Sequence, residues 1–110
     1  MSRSPNERFD DILSAIQRCR GYRDYLSSDE GHLSEMAFDA ILRNLAVIGE
    51  AVRALPAATI ASMPDVPWTS IAGLRNIVVH EYFRVNPELI SDIVDNYLDQ
   101  LQEALEGPSL

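Results

Sequence analysis

A short segment of the chain, RNIVVHEYF at residues 75–83, places an arginine, an asparagine, a histidine and a tyrosine within eight positions. They are Arg75, Asn76, His80 and Tyr82. Arginine stays charged and can bind two phosphate oxygens at once, and histidine titrates close to neutral pH. These residue types suit metal-free cleavage of RNA. In that reaction a base removes the 2′-hydroxyl proton, an acid protonates the leaving oxygen and a cation stabilises the phosphorane.

Helical geometry spreads these four side chains over a broad surface. At about 100° per residue, Asn76 and His80 lie one turn apart on one face, whereas Arg75 and Tyr82 nearly align two turns apart. The two pairs are offset by roughly 100–160° around the axis, so one helix gives a broad polar side. Two copies facing each other across a two-fold axis would form a compact cleft with paired arginines and histidines.

Two long helices are predicted in the first half of the chain. Ser4 and Glu7 can form a capping box, and Pro5 suits the first helical position, so the first helix begins here. The second helix is predicted over about residues 33–55. Gly49 lies inside it at a cost of about 1 kcal/mol relative to alanine, which close approach of a neighbouring helix would explain. Its apolar stripe has helical spacing and comprises Phe38, Ile41, Leu42, Leu45, Ile48 and Val52.

The second half of the chain is predicted to hold two further main helices. Pro67 can open the third helix, which continues to about residue 80 or 82, and Asn86 with Pro87 caps and begins the last one. The predicted core positions are Trp68 on the third helix and Leu89, Ile93, Tyr97, Leu101 and Leu105 on the last. No alternating strand pattern occurs. The predicted fold is therefore one all-α domain over residues 1–110, an antiparallel bundle of four to five helices.

Charge and cysteine content limit the partners and the compartment. The net charge is −8, and all nine basic residues are arginines. Because nonspecific nucleic-acid binding requires a basic surface, contact with RNA would need a local arginine cluster set into an acidic body. Cys19 is the single cysteine, which fits a reducing, cytoplasmic setting. No apolar window reaches 18 residues, so we predict neither a membrane helix nor a signal peptide.

The polar segment also matches a known pattern. It has the form Arg-x4-His-x-Tyr, with Asn76 directly after the arginine. Together with RFDDILSAI, RNLAVIGEAV and PWTSIAGLRNIVVHEYF, it resembles the HEPN superfamily, and specifically the HepT-type toxins of prokaryotic toxin–antitoxin pairs. The resemblance extends over nearly the whole chain, in the order and the spacing of these segments.

This resemblance implies a fold, an activity and a partner. It implies an all-α homodimer with both motifs in one interfacial cleft, acting as an endoribonuclease without metal or cofactor. Arg75 would bind and stabilise phosphate, His80 would transfer protons, and Asn76 would support the phosphate or the imidazole. The partner would be the nucleotidyltransferase (MNT-type) antitoxin of a type VII system, which transfers AMP from ATP to Tyr82. Added nucleotides would bring bulk and negative charge into a cleft that receives RNA phosphate.

Two other interpretations of the polar segment remain open. The chain could be a non-catalytic HEPN module that binds a nucleotide or docks a nucleotidyltransferase. It could also be a dimeric helical scaffold in which the polar patch seals the interface. RNA cleavage that depends on His80 would indicate an enzyme and exclude the non-catalytic module. An AMP group on Tyr82 would be hard to explain if the chain were only a scaffold.

Overall fold

The protein is built from helices that pack around one apolar core. A computed structural model describes residues 4–76 and 86–106. Within these two ranges no strand occurs, which confirms the all-α prediction. The helices are α1 Pro5–Arg23, α2 Gly31–Arg53, α3 Ala57–Ser62, α4 Trp68–Ala72, α5 Pro87–Asp92 and α6 Leu98–Glu106, with a 3-10 turn at Asp24–Ser27 and a π-helical turn at Ile93–Tyr97.

The start of α1 is fixed by the predicted capping box. The Ser4 hydroxyl accepts a hydrogen bond from the Glu7 backbone N–H, and the Glu7 carboxylate accepts one from the Ser4 N–H, both at 3.2 Å. Pro5 occupies the first helical position, where its missing N–H costs no intrahelical bond. These local bonds confirm the predicted N-terminus of the first helix.

The core lies mainly between α1 and α2, which pack along each other. Of the six stripe positions predicted on the second helix, five are buried and Phe38 is half-buried. Fully buried isoleucine and leucine side chains each contribute about 1.5–3 kcal/mol of transfer free energy, so this contact dominates the core. Neither of these helices, nor any shorter one described, is long and apolar enough to cross a membrane.

The chain then turns through α3 into α4, where a tryptophan anchors the short helix. Trp68 is buried, and its indole N–H donates a 2.8 Å hydrogen bond to the Met63 carbonyl, which confirms its core position. The helix ends at Ala72 with Gly73 as its C-cap, and helical structure resumes over residues 74–76. The sequence predicted one continuous helix here and did not anticipate this interruption. Residues 77–85 lie outside the described part of the chain.

The C-terminal helical segment begins as predicted, and Ile93 and Leu101 are buried as predicted, but other core positions differ. The Asn86 side chain accepts a 2.8 Å hydrogen bond from the Leu89 N–H, which confirms the cap. Leu89 and Tyr97, however, are each 41% exposed, so their predicted core positions are wrong. The predicted positions are spaced by four residues, so they rotate gradually around a helix that has 3.6 residues per turn. The π-helical turn then changes again which side chains face the core. The core positions observed are Ile90, Ile93, Val94, Leu98 and Leu101.

Two ion pairs fasten the end of α1 to this C-terminal segment. Arg20 contacts Asp99 at 2.7 Å, and Arg23 forms two hydrogen bonds of 2.8 and 2.7 Å with Asp95. The hydrogen bonds from Arg23 lower the pKa of the Asp95 carboxyl below its ordinary value. These two arginines therefore tie the end of α1 to the C-terminal segment.

Candidate active site

The arginine of the polar segment is seated directly on α2, at the position of a glycine. A Cβ built on Gly49 would lie 2.9 Å from the Arg75 backbone nitrogen, 3.0 Å from the Arg75 Cβ and 3.3 Å from the Ala72 carbonyl oxygen. Real Cβ atoms do not approach other atoms so closely, so a larger residue would push the backbones apart. The predicted close approach at Gly49 is confirmed, and the neighbour is the helical turn that carries Arg75.

The residue that follows this glycine holds the arginine side chain. Arg75 Nε contacts a Glu50 carboxylate oxygen at 2.7 Å, and the two side chains are 38% and 58% exposed. An arginine has five N–H donors in a planar fork, and in this contact Nε is the nitrogen that lies against the carboxylate. Glu50 thus orients the guanidinium while the group stays accessible to solvent. A half-exposed, oriented guanidinium is suited to bind a phosphate.

The remaining residues of the predicted site follow Arg75 along the chain. Asn76 is exposed, and its backbone N–H donates a 3.0 Å hydrogen bond to the Gly73 carbonyl. The structure therefore places Arg75 and Asn76 side by side at the protein surface. His80 and Tyr82 lie outside the described residues, so their predicted roles remain predictions.

An open concavity borders the Arg75–Glu50 pair. It has a volume of about 570 Å³ and runs between α1 and α2. Arg8 and Arg43 line it together with Arg75, and the carboxylates of Asp11 and Glu50 line it as well. RNA contact was predicted to need a local arginine cluster, but nothing in the sequence identified its members. Residues 43, 47, 50 and 54 recur at helical spacing, which was the available signal on α2.

The single cysteine is not a candidate nucleophile. Cys19 is fully buried, and burial raises the pKa of its thiol to about 12. The reactive form of cysteine is the thiolate, so this side chain packs as a small apolar group, as predicted. Among residues 4–76 and 86–106, no cluster of three or more His, Cys, Asp or Glu side chains is arranged to hold a metal ion.

Fold and site together define a class of protein. It is a small all-α bundle in which the second helix seats and orients the arginine of an Arg-x4-His-x-Tyr segment. The chain belongs to the HepT-like ribonuclease family. The family profile described as "Ribonuclease HepT-like" matches residues 12–107, which confirms the resemblance inferred from the motif.

Curated relatives carry names that agree with this family. The chain is 40% identical over 86 residues to "Putative RNase MJ0127" of Methanocaldococcus jannaschii, covering 78% of this chain and 71% of that protein. It is 30% identical over 96 residues to "Putative RNase MJ1380" of the same organism, covering 87% and 88%. It is 26% identical over 106 residues to "Probable ribonuclease HepT" of Thermococcus cleftensis, covering 96% of both chains. No solved structure matches the chain at a significant level.

Proposed function

We propose that this protein is a metal-independent endoribonuclease whose active site is formed at a homodimer interface. Family membership and the ribonuclease names of its relatives support the reaction class. The position of Arg75 supports the substrate class, because an oriented and accessible guanidinium beside a concavity is suited to a phosphodiester.

The proposed reaction is an internal transesterification. The 2′-oxygen loses its proton to a His80 imidazole and attacks the adjacent phosphorus, which forms a pentacoordinate phosphorane. Arg75 stabilises the added negative charge on the phosphorane oxygens. The bond to the 5′-oxygen then breaks, a second His80 in its protonated form gives that oxygen a proton, and a 2′,3′-cyclic phosphate remains. Asn76 supports the phosphate or orients the imidazole.

The pairing of two copies follows from the need for one base and one acid. A single polar segment supplies one histidine, whereas two copies related by a two-fold axis supply two histidines and two arginines. Light scattering on the purified protein should therefore give about twice the 12.3 kDa mass of the chain. A protein that cleaves RNA as a monomer would refute the composite site.

The observation that carries this proposal is the contact of Arg75 with Glu50 at a half-exposed position. The test is cleavage of labelled RNA in the presence of EDTA by the wild type, Arg75→Ala and His80→Ala. We expect the wild type to leave cyclic or 3′-phosphate ends, and both variants to lose activity. His32→Ala, which removes the other histidine from an exposed position on α2, is the matched control and should stay active. Equal cleavage by wild type and His80→Ala would contradict the proposal.

We further propose that the protein is the toxin of a type VII (HEPN/MNT) toxin–antitoxin pair. Its antitoxin is a nucleotidyltransferase that adds AMP to Tyr82. In that step the phenolic oxygen attacks the α-phosphorus of ATP, pyrophosphate leaves and the phenol proton is released. The added phosphate charge and bulk would then exclude RNA from the cleft.

Mass spectrometry tests this neutralisation step directly. Incubation with the partner and Mg-ATP should add the mass of one or more AMP groups to the wild type and none to Tyr82→Phe. Tyr25→Phe and Tyr97→Phe are matched controls, because these tyrosines are 51% and 41% exposed. Both controls should still be modified, and loss of RNA cleavage should parallel the modification. An unmodified Tyr82 in the presence of an active partner would refute the mechanism.

A second candidate function is a non-catalytic module that binds a nucleotide or docks the nucleotidyltransferase. The observation that favours it is the net charge of −8 without any lysine, which is unfavourable for general RNA binding. It predicts a protein that binds ATP or AMP, leaves RNA intact and is harmless when expressed alone. Inhibited growth that His80→Ala relieves would favour the enzyme.

A further inference from the structure

The arginines of the described chain fall into two groups according to their partners. Arg20, Arg23 and Arg75 form ion pairs with carboxylates. The second group consists of Arg8 and Arg18 on α1, and Arg43 and Arg53 on α2. Within residues 4–76 and 86–106, these four arginines form no ion pair and no side-chain hydrogen bond.

Two arginines of the second group share one location. Arg8 and Arg43 come from different helices, yet both line the concavity that borders Arg75. Among the residues that the structure describes, three arginines line the concavity with two carboxylates, Asp11 and Glu50, and Glu50 already contacts Arg75. This described lining therefore has a positive balance of charge within a chain of net charge −8. Such a local reversal of sign attracts an anion that the rest of the surface repels.

The shape of the concavity suits a polymer more than a small ligand. It is open to solvent, with a volume of about 570 Å³, and exposed Val47 with neighbouring alanines of α2 forms part of its lining. Small side chains let a sugar–phosphate backbone approach the helix surface. Open grooves in which cations follow the backbone are typical of sequence-tolerant binding to single strands.

We infer that this concavity is an RNA subsite, in which Arg8 and Arg43 bind phosphates that flank the scissile one. The inference extends the proposed ribonuclease function, because it assigns a strand-binding surface next to the arginine that would contact the reacting phosphate. Arg8 and Arg43 bind and do not take part in bond cleavage. Their removal therefore weakens RNA binding.

The chain offers a matched control for this assignment. Arg18 follows Arg8 by ten residues on α1, and Arg53 follows Arg43 by ten residues on α2. Ten residues advance a helix by about 15 Å along its axis, so each control arginine lies almost three turns away from the arginine of the concavity on the same helix. Neither control lines the concavity. The variants Arg8→Gln/Arg43→Gln and Arg18→Gln/Arg53→Gln thus remove equal charge from the same two helices.

The experiment measures binding of a fluorescein-labelled single-stranded RNA, of roughly twenty nucleotides to span an open groove. Anisotropy is recorded over a series of salt concentrations, with His80→Ala as the background so that the RNA stays whole. One phosphate contact releases about 0.7 counterion, which at about 0.15 M salt changes Kd about four-fold. We therefore expect the double variant Arg8→Gln/Arg43→Gln, called the concavity pair, to raise Kd about fifteen-fold. It should also reduce the slope of log Kd against log salt concentration by about 1.4. The control pair should change Kd less than two-fold, by roughly the effect of net charge alone.

Each remaining outcome decides the assignment. Equal Kd changes in the two pairs would overturn the subsite, even if the wild type cleaves RNA and the proposed function stands. Loss of helix content in Arg8→Gln/Arg43→Gln, or a change of its mass in light scattering, would also overturn the subsite. That result would assign these two arginines to packing between copies of the chain. If neither wild type nor His80→Ala cleaves RNA, a selective fifteen-fold loss still supports the subsite while the ribonuclease proposal fails.

Discussion

Replacing Gly49 with alanine tests how the bundle positions the arginine of the polar segment. The new Cβ would lie 2.9 Å from the Arg75 backbone nitrogen and 3.0 Å from its Cβ. Backbone atoms cannot rotate away as the end of a side chain can, so the turn that carries Arg75 must move by about half an ångström to reach ordinary contact. The variant therefore perturbs both the free energy of unfolding and the location of the guanidinium.

The expected magnitude is the difference between two opposing effects. Alanine is favoured over glycine inside a helix by about 1 kcal/mol, whereas overpacking of a filled contact costs about 1–3 kcal/mol. Gly49→Ala should thus be destabilised by about 0–2 kcal/mol. Gly21→Ala is the matched control, because nothing lies within 4 Å of a Cβ at that helical position. It should gain up to about 1 kcal/mol from the same propensity difference.

Two assays separate stability from positioning. Urea unfolding followed by circular dichroism measures the free energy, and the two variants should differ by about 1–3 kcal/mol. RNA cleavage by folded Gly49→Ala should fall on the order of ten-fold in kcat/KM, because small displacements of a reacting group are costly. If Gly49→Ala gains as much stability as Gly21→Ala and keeps wild-type kcat/KM, the steric reasoning is wrong.

Three further predictions concern individual side chains. Glu50→Ala should lower kcat/KM several-fold while changing stability by less than about 1 kcal/mol, because the pair with Arg75 is half-exposed. Glu50→Gln, which keeps the length of the side chain and one of its oxygens, should retain more activity than Glu50→Ala. Asp95→Asn should lower the urea midpoint at neutral pH. Because Arg23 lowers the folded-state pKa of Asp95, this contribution is complete above the unfolded pKa of about 3.9 and is lost as pH falls through the lower folded pKa, so the two midpoints should converge at acid pH. Cys19 should resist a thiol reagent at neutral pH in native protein and react fully in urea, since its thiol is buried and has a pKa of about 12.

Each of these predictions has a result that would contradict it. Equal activity of Glu50→Ala and wild type would show that the ion pair does not position Arg75. Asp10→Asn removes the same charge from an exposed position on α1, and an equal loss of urea resistance there would assign the effect to net charge. Rapid labelling of native Cys19 would show that α1 opens readily.

Local signals predicted where the first and last helical segments begin, because the causes lie within a few residues. The Ser4–Glu7 capping box and the Asn86 cap are hydrogen bonds between neighbours in sequence. Gly49 was also interpretable, since a glycine inside a long amphipathic helix costs stability and needs a packing reason. The reason became specific when the structure placed Arg75 against it.

Features that join distant parts of the chain were beyond prediction from one sequence. The Glu50–Arg75 contact bridges residues 25 positions apart, and nothing local selects that partner for either side chain. The same holds for Arg8 and Arg43, which the packing of α1 on α2 brings to one concavity. Tyr97 was misplaced because a π-helical turn has no clear sequence signal and changes which face meets the core.

The single tryptophan of the chain gives the polar segment an intrinsic optical probe. Trp68 is 7% exposed, its indole N–H is bonded to the Met63 carbonyl, and it begins the short helix that leads to Arg75. The emission of an indole depends on its exposure to water and on its hydrogen bond, so movement of this helix will alter both wavelength and intensity. Stopped-flow fluorescence of the unlabelled protein can therefore follow any displacement of this helix when a ligand is mixed with the protein.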